Sequence, residues 1–407
     1  MTAPLSHLRV LDMSRILAGP WAAQTLADLG AEVIKIERPG PGDDTRAWGP
    51  PFVTDKAGNP TKESAYFLSA NRGKKSLALD ISKPEGQEVV RALAARSDVL
   101  VENYKVGGLD RYDLGYKDLK KVNPGLVYCS ITGFGQTGPF SDRAGYDFLI
   151  QAMGGLMSVT GERDDRPGGG PQKIGVALTD ILTGLYTVIA ALTGLARRER
   201  TGEGCHVDMA LLDVTVATMA NQALNYLVSG VAPRRMGNAH PNIVPYEAFQ
   251  AADQYIILAV GNDRQFNRFC EVAGRADLAK DPKYATNEAR VGNREELLPV
   301  LRDIIRSRSG ADWISALEKV GVPCGPINDM AQVFAHPQVT ARGMRMDMPH
   351  ALAGSVPQVA SPIRFAGEGL DYKRSPPTVG EHNDDVLGGV LGMDEAAIAA
   401  LRKAGAI

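Results

Sequence analysis

An α/β fold is what the 407-residue sequence predicts, and three observations carry the prediction. From residue 9 to about 135, short β-rich runs alternate with helical stretches, the pattern of a parallel sheet wrapped by helices. Around 180–198, apolar residues recur at helical spacing with small residues between them. Near 225–245 the composition turns to Gly, Pro and Asn, and a second α/β segment follows. Together these give a Rossmann-like large domain over 1–224, a smaller α/β domain over 225–330 and a C-terminal segment over 331–407. A chain of this length exceeds the size at which one hydrophobic core keeps growing, so division into domains is expected.

Taken in order, the strands read RVLDMS, EVIKIE, SLALDI, VLVENY and LVYCSIT, each short and rich in β-formers. Between the third and fourth, EGQEVVRALAARS has helical spacing. Leu182, Leu185, Ile189 and Leu192 mark a long helix that should be largely buried. In the smaller domain a strand at YIILAVGN precedes two polar helices. The tail carries HPQVTARGM and the proline-rich SPPTVGEHNDD before a last helix.

The formal charge of −2, with basic residues dispersed along the chain, offers no field for nucleic acid or an anionic membrane. Cys129, Cys205, Cys270 and Cys324 lie far apart, with no C-x-x-C pair and no histidine at metal-ligand spacing. That argues against structural zinc and suits a reducing compartment. The start, MTAPLSHLRV, has neither a cationic region nor an apolar core of signal length, and no run of about 18 apolar residues occurs. A soluble, cytoplasmic protein without a metal is expected.

Gly133–Gly138 matches G-x-G-x-x-G after a strand. Pro139 and the polar PFSDRAG follow where a helix would have to open, so the amide cradle for a pyrophosphate is missing and the match reads as a decoy. Asp180, in GVALTDILTGLY, stands where an irregular segment meets the long helix. It can act as an N-cap there. The same position would hold a carboxylate ionised through the helix dipole and nearby amides, available as a nucleophile. Arg38, Arg72, Lys74, Lys75, Lys83 and Arg111, near the early strand ends, could meet the phosphates of a polyanionic ligand.

The run Val10–Arg46, together with NRGKKSLALD at 71–80, VENYKVGGLDR at 101–111, SITGFGQTGP at 130–139 and Asp180, resembles the class III CoA-transferases over nearly the whole chain. The resemblance implies Asp180 as the nucleophile. It would pass through a mixed aspartyl anhydride and an aspartyl-CoA thioester while CoA moves between an acyl-CoA and a free carboxylic acid. No cofactor would be bound permanently, with coenzyme A or acyl-CoA entering as substrate. Matching to formyl-CoA transferase-like patterns implies coenzyme contacts from Leu17, Ala18, Arg38, Leu79, Lys83, Asn103, Tyr104 and Arg111, and acyl-site aromatics Trp48, Tyr66 and Phe134. It also implies an interlocked homodimer and a tail that returns to the large domain.

Two departures matter. A position that carries lysine in formyl-CoA transferases reads Thr132 here, and Gly237–Phe249 lacks their run of consecutive glycines. The segments TRAWGPPF, RAGYD, GNAHPNIVPYEAF and VPCGPIND resemble instead those of succinyl-CoA:glutarate CoA-transferases, which implies a dicarboxylate acyl unit such as succinyl and an acceptor such as glutarate. A second carboxylate needs a cation or histidine near the acyl end, and Arg15, Arg72 and His240 are unranked candidates. The superfamily's α-methylacyl-CoA racemases use a histidine where this chain has Tyr146, within Ala144-Gly145-Tyr146-Asp147. Tyrosine is a poor base at neutral pH, so transfer is preferred to racemisation. A non-catalytic nucleotide-binding module is the alternative from another class.

Overall fold

The structure is a computed structural model that describes residues 3–366, 370 and 372–407. The chain groups into two compact units, one of residues 1–156, 174–223 and 338–407 and one of residues 157–173 and 224–337.

Besides a C-terminal hairpin of Arg345–His350 and Gly354–Val359, eight strands among the described residues build the first unit: β1 (Arg9–Asp12), β2 (Glu32–Glu37), β3 (Phe52–Thr54), β4 (Pro60–Ser64), β5 (Lys74–Ala78), β6 (Val99–Glu102), β7 (Val127–Thr132) and β8 (Cys205–Ala210). β3 and β4 pair with each other. The other six form one sheet in the order β5-β2-β1-β6-β7-β8, with every neighbouring pair parallel. In chain order these six run 3-2-1-4-5-6 across the sheet, the Rossmann arrangement. Its topological switch point lies between β1 and β6, where crossovers leave in opposite directions and open a crevice at the carboxyl ends of the strands.

The helices of this unit include α1 (Ala18–Asp28), α2 (Ala65–Ala70), α3 (Pro84–Ala94), α4 (Tyr116–Val122), α5 (Asp147–Met153), the short α6 (Leu156–Val159), which runs on into the second unit, α7 (Leu178–Thr201) and α8 (Leu211–Thr218). On one face of the sheet Val90 and Leu93 of α3, Leu119 of α4 and Leu401 of the last helix, Glu395–Lys403, share a core with Leu11, Ile34 and Leu100. On the other, Ala22 and Leu26 of α1 and Val188, Ala191 and Leu195 of α7 pack on Val10, Val33 and Val127. α7 is long and apolar enough to span a membrane by length and composition, which the count of consecutive apolar residues does not reveal. Its inner face is nevertheless buried in this core, through Thr183, Gly184, Val188, Ala191 and Leu195, whereas Leu185 and Ile189, expected inside, are exposed on the opposite face. Gly184 of α7 allows the close approach: a Cβ there would stand 2.7 Å from the Ala18 carbonyl oxygen and 3.2 Å from Trp21 Cβ.

The edge strand β5 is covered by the tail. Ser76 and Ala78 donate their amides to His382 Nδ1 and Asn383 Oδ1, so the open ladder of an edge strand is not left to other chains. The second unit has an antiparallel sheet of β9 (Tyr246–Gln250), β10 (Tyr255–Ala259) and β11 (Cys324–Pro326) in the order β11-β10-β9. Its own core surrounds Phe249, Phe269 and Trp313.

A buried charge network lies beneath the carboxyl ends of β1 and β2, and Lys74 reaches it from the start of β5. Lys74 and Lys35 are both fully buried. Lys74 Nζ donates to Asp12 at 2.8 Å, and Lys35 Nζ reaches Asp43 at 2.9 Å and the Ser14 carbonyl at 2.8 Å. Glu37 continues the chain of contacts, accepting from the Asp43 amide and, with both oxygens, from Arg46. Burial pushes the Asp43 carboxyl up, but Lys35 and the Thr45 donors outweigh it and bring it down to about 2. These side chains are the interior framework of the loops above them. Asp12→Asn leaves two buried lysines short of an anion and is expected to cost about 3 kcal/mol of unfolding free energy, read as a lowered urea midpoint at unchanged m value.

Candidate active site

The loop after β1 is held in an unusual conformation. Ile16 has φ of 72°, a left-handed geometry that costs a β-branched residue on the order of 1–3 kcal/mol. Its amide donates to both oxygens of Asp43 at 3.3 Å, so the buried network below supplies the restraint. Beside it, the Arg15 amide donates to Asn103 Oδ1 at 2.9 Å, and Asn103 Nδ2 donates back to the Arg15 carbonyl at 2.8 Å. This reciprocal pair ties the loop after β1 to the loop after β6 across the switch point.

A cavity of about 330 Å³ opens there. Arg15, Leu17 and Ala18 line it from the first loop, and Asn103, Tyr104 and Arg111 from the second. Thr132 and Gly133 at the end of β7, the stretch from Ser141 to Tyr146, and Asp180 complete much of the wall. Eight residues proposed from the sequence for coenzyme, substrate or catalysis therefore meet in one place. Arg143, which the sequence reading did not single out although it lies in RAGYD, joins the same wall and leans on the rings of Phe134 and Phe140 at 5.3 and 4.6 Å. It brings a cation to a wall where Thr132 offers none; Thr132 Oγ1 instead accepts from the Gly135 amide. No helix opens at Pro139. The next one, α5, begins at Asp147, so the glycine motif has no helix terminus to offer a pyrophosphate.

Backbone contact brings the two segments of this wall together. A Cβ on Gly133 would lie 2.6 Å from the Gly145 Cα, and one on Gly145 would lie 2.5 Å from the Gly133 Cα. Only glycine at both positions lets the end of β7 touch the entry to α5.

Asp180 sits in the first turn of α7 but is not its N-cap. Ala177 takes that position and offers no side-chain acceptor. The cap comes from Asp147: its Oδ2 accepts from the Thr179 amide at 2.8 Å and from the Asp180 amide at 3.4 Å. The expectation that amides hold the Asp180 side chain ionised is corrected accordingly. Burial first, and the nearby Asp147 charge second, push the Asp180 carboxyl up to about 7. Tyr66 lies within electrostatic reach, its phenol pushed up by burial and then by the charges of Asp180 and Asp147. Trp48 meets Tyr66 edge to face at 5.2 Å.

Other candidates are engaged elsewhere. Arg72 is buried and forms a two-pronged pair with Asp28, at 2.8 and 2.6 Å, so it is not a free cation for a second carboxylate. Lys74 and Lys75 are likewise spent on Asp12, and on Glu32 and Asp385, and are not free for phosphates. The Leu79 side chain is packed in the core, and Lys83 donates to the Ala404 carbonyl. Arg38 is exposed just after β2, and Phe134 packs against the α1–α7 core. His240 belongs to the second unit, where its Nδ1 accepts from the Asn242 amide at 3.0 Å and its ring lies against Tyr246.

The sequence model described as CoA-transferase family III matches residues 5–383. The chain belongs to CoA-transferase family III. This family III enzyme is 50% identical over 384 residues to the succinate–glutarate CoA-transferase of Agrobacterium fabrum, covering 94% of this chain and 95% of that one. It is 44% identical to the human succinyl-CoA:glutarate CoA-transferase, over 99% and 90% of the two chains. A crystal structure of a CaiB/BaiF family protein from Brucella suis superposes with a TM-score of 0.83 at 50% identity, covering 96% of this chain and all of that one. An acyl-CoA:carboxylate CoA-transferase is thus the activity, with an acyl-CoA and a carboxylate as its small-molecule partners.

The raised Asp180 carboxyl has a consequence for stability. Between its unfolded value, near 4, and about 7, the folded chain holds a proton that the unfolded chain has lost, so this group's contribution falls as pH rises through that window. Asp180→Asn removes the dependence. Urea titrations should show the variant gaining on the wild type by up to about 4 kcal/mol between pH 4 and pH 8.

Proposed function

We propose that this family III enzyme moves CoA from succinyl-CoA to glutarate, with Asp180 as the covalent carrier. The observation that carries the reading is the position of Asp180 in the wall of the switch-point cavity, beside loops able to grip a coenzyme. The names of the relatives at 50% and 44% identity favour this acid pair.

In the proposed cycle the Asp180 carboxylate attacks the thioester carbonyl. A carbon–oxygen bond forms, the carbon–sulfur bond breaks, and CoA leaves as thiolate from a mixed anhydride. The thiolate then attacks the aspartyl carbonyl, giving an aspartyl-CoA thioester and releasing succinate with one oxygen that began on Asp180. Glutarate attacks the aspartyl thioester, forming a second anhydride, and the thiolate ends the cycle at the glutaryl carbonyl. Each attack builds an oxyanion, which the backbone near Gly133–Gly138 would stabilise, a donor of this kind being worth about 3 kcal/mol.

Leu17, Ala18, Asn103, Tyr104 and Arg111 would hold the coenzyme, with the exposed Arg38 toward its nucleotide. Remote binding of that kind keeps the reactive thioester in place while the anhydride is shielded from water. Trp48, Tyr66, Phe134 and Tyr146 would shape the acyl site. For the second carboxylate of the dicarboxylate, Arg15 is favoured over Arg72 and His240, since it lines the cavity. No resident cofactor is needed for any step. We also infer a homodimer. Leu185, Tyr186 and Ile189 of α7 are exposed on its outer side, and an apolar face of this kind suits cover by a second copy. The four free cysteines fit a cytoplasmic location.

The test is a mass measurement. Incubation with succinyl-CoA followed by acid digestion should leave CoA attached to the Asp180 peptide, and Asp180→Asn should abolish both adduct and turnover in a folded protein. A turning-over enzyme that never carries the adduct, with a range of acyl-CoA donors, would reject Asp180 as carrier.

A further inference from the structure

We propose that Asp147 is a positioning residue for the transferase reaction: its carboxylate seats the first turn of α7, fixes the direction of Asp180 and strengthens it as a nucleophile. The proposal rests on the reading of Asp180 as the covalent carrier.

The first turn of a helix exposes amides that need acceptors. In α7 the N-cap residue Ala177 supplies no side-chain acceptor. Asp147 Oδ2 serves the amides of Thr179 and of Asp180 itself. The other oxygen, Oδ1, accepts from Gln151 Nε2 at 2.7 Å, and the fully buried Gln151 accepts the Ile174 amide at 3.0 Å through its own Oε1. One side-chain pair on α5 thus grips the segment leading into α7 at both ends, at Ile174 and at Asp180. α5 is itself located by the contact of Gly145 with Gly133 at the end of β7. The carboxylate of Asp180 therefore inherits its position from the sheet through Asp147.

Charge adds a second effect. Asp147 faces Asp180 from α5 and Tyr66 faces it from α2. Arg15, Lys105, Arg111 and Arg143 are the cations lining the same cavity, with Asp142 a further acid in its wall. A neighbouring carboxylate disfavours ionisation of Asp180, consistent with its rise to about 7. The ionised form is then more basic and donates its electron pair more readily, so fewer molecules carry a better nucleophile.

Asp147→Asn removes the charge and keeps an oxygen for the two amides, whereas Asp147→Ala removes both. Succinate release in the first half-reaction with succinyl-CoA, followed by rapid mixing between pH 5 and pH 9, separates them. The wild type should inflect near pH 7. Asp147→Asn should inflect at least one unit lower with a plateau reduced about tenfold and little change in the KM for succinyl-CoA, and Asp147→Ala should lose rate about a hundredfold at every pH. If both variants lose thermal stability alone, with the inflection and plateau of the wild type intact, Asp147 is merely a cap and the proposal falls. Should Asp147→Asn fail to fold, Gln151→Met keeps the charge but loosens it: a lower kcat with the inflection unmoved supports the proposal, and an unchanged kcat overturns it. The Asp180 adduct in the wild type is measured in the same mixtures. Its absence would sink the carrier reading itself, whereas its presence beside an unshifted Asp147→Asn profile would sink only the role of Asp147.

Discussion

The hydrogen bonds from the first turn of α7 to the Asp147 carboxylate are the contacts on which the site depends. They set one acid against the amino end of a helix and leave a second acid, Asp180, in the same turn without the amide contacts that would favour its charge. A carboxylate satisfied by two amides is stable and unreactive. A carboxylate that is buried beside another negative charge is neither, and its free energy falls when it forms a neutral ester or thioester bond. The geometry thus divides two chemically identical side chains into a support and a candidate nucleophile, by environment alone.

The opposite wall of the cavity depends on a different kind of restraint. Lys74, Asp12, Lys35 and Asp43 form a dry ionic chain under the strand ends, and its last member holds the Ile16 amide. An isolated buried ion is costly, but here each charge has an opposite neighbour and further hydrogen bonds, so removal of one member is expected to cost more than the network as a whole contributes. What the network supplies is conformation. It keeps the loop after β1 in a backbone geometry that a β-branched residue resists, and Arg15, Leu17 and Ala18 face the cavity as a result.

Much of this was legible in the sequence. The alternation of strands and helices up to residue 135 translates directly into the six-stranded parallel sheet, because buried parallel strands need long apolar runs and helices to cover them. Asp180, Asn103, Tyr104 and Arg111 were visible because they sit in short segments whose residue order is distinctive. The role of Asp147 was harder to see. RAGYD drew attention to its tyrosine, while the function of its aspartate depends on a helix that begins 31 residues later and on a glycine pair 12 residues apart in sequence. The charged residues misled for a related reason: Arg72, Lys74 and Lys75 read as cations able to meet phosphates, and only the fold supplies the acids that pair with them. Nor does the sequence of α7 reveal that its first acid is flanked by another acid, which reverses the direction of its shift.

The most direct test of the central claim follows oxygen through one turnover. Enzyme in excess is mixed with succinyl-CoA and with glutarate carrying oxygen-18 in both carboxylates, and the products and the Asp180 peptide are weighed by mass spectrometry. Transfer through Asp180 predicts unlabelled succinate in that turnover and one oxygen-18 gained by the Asp180 carboxylate. Label in the succinate with none in Asp180 would mean that glutarate attacked succinyl-CoA directly, and would contradict the account.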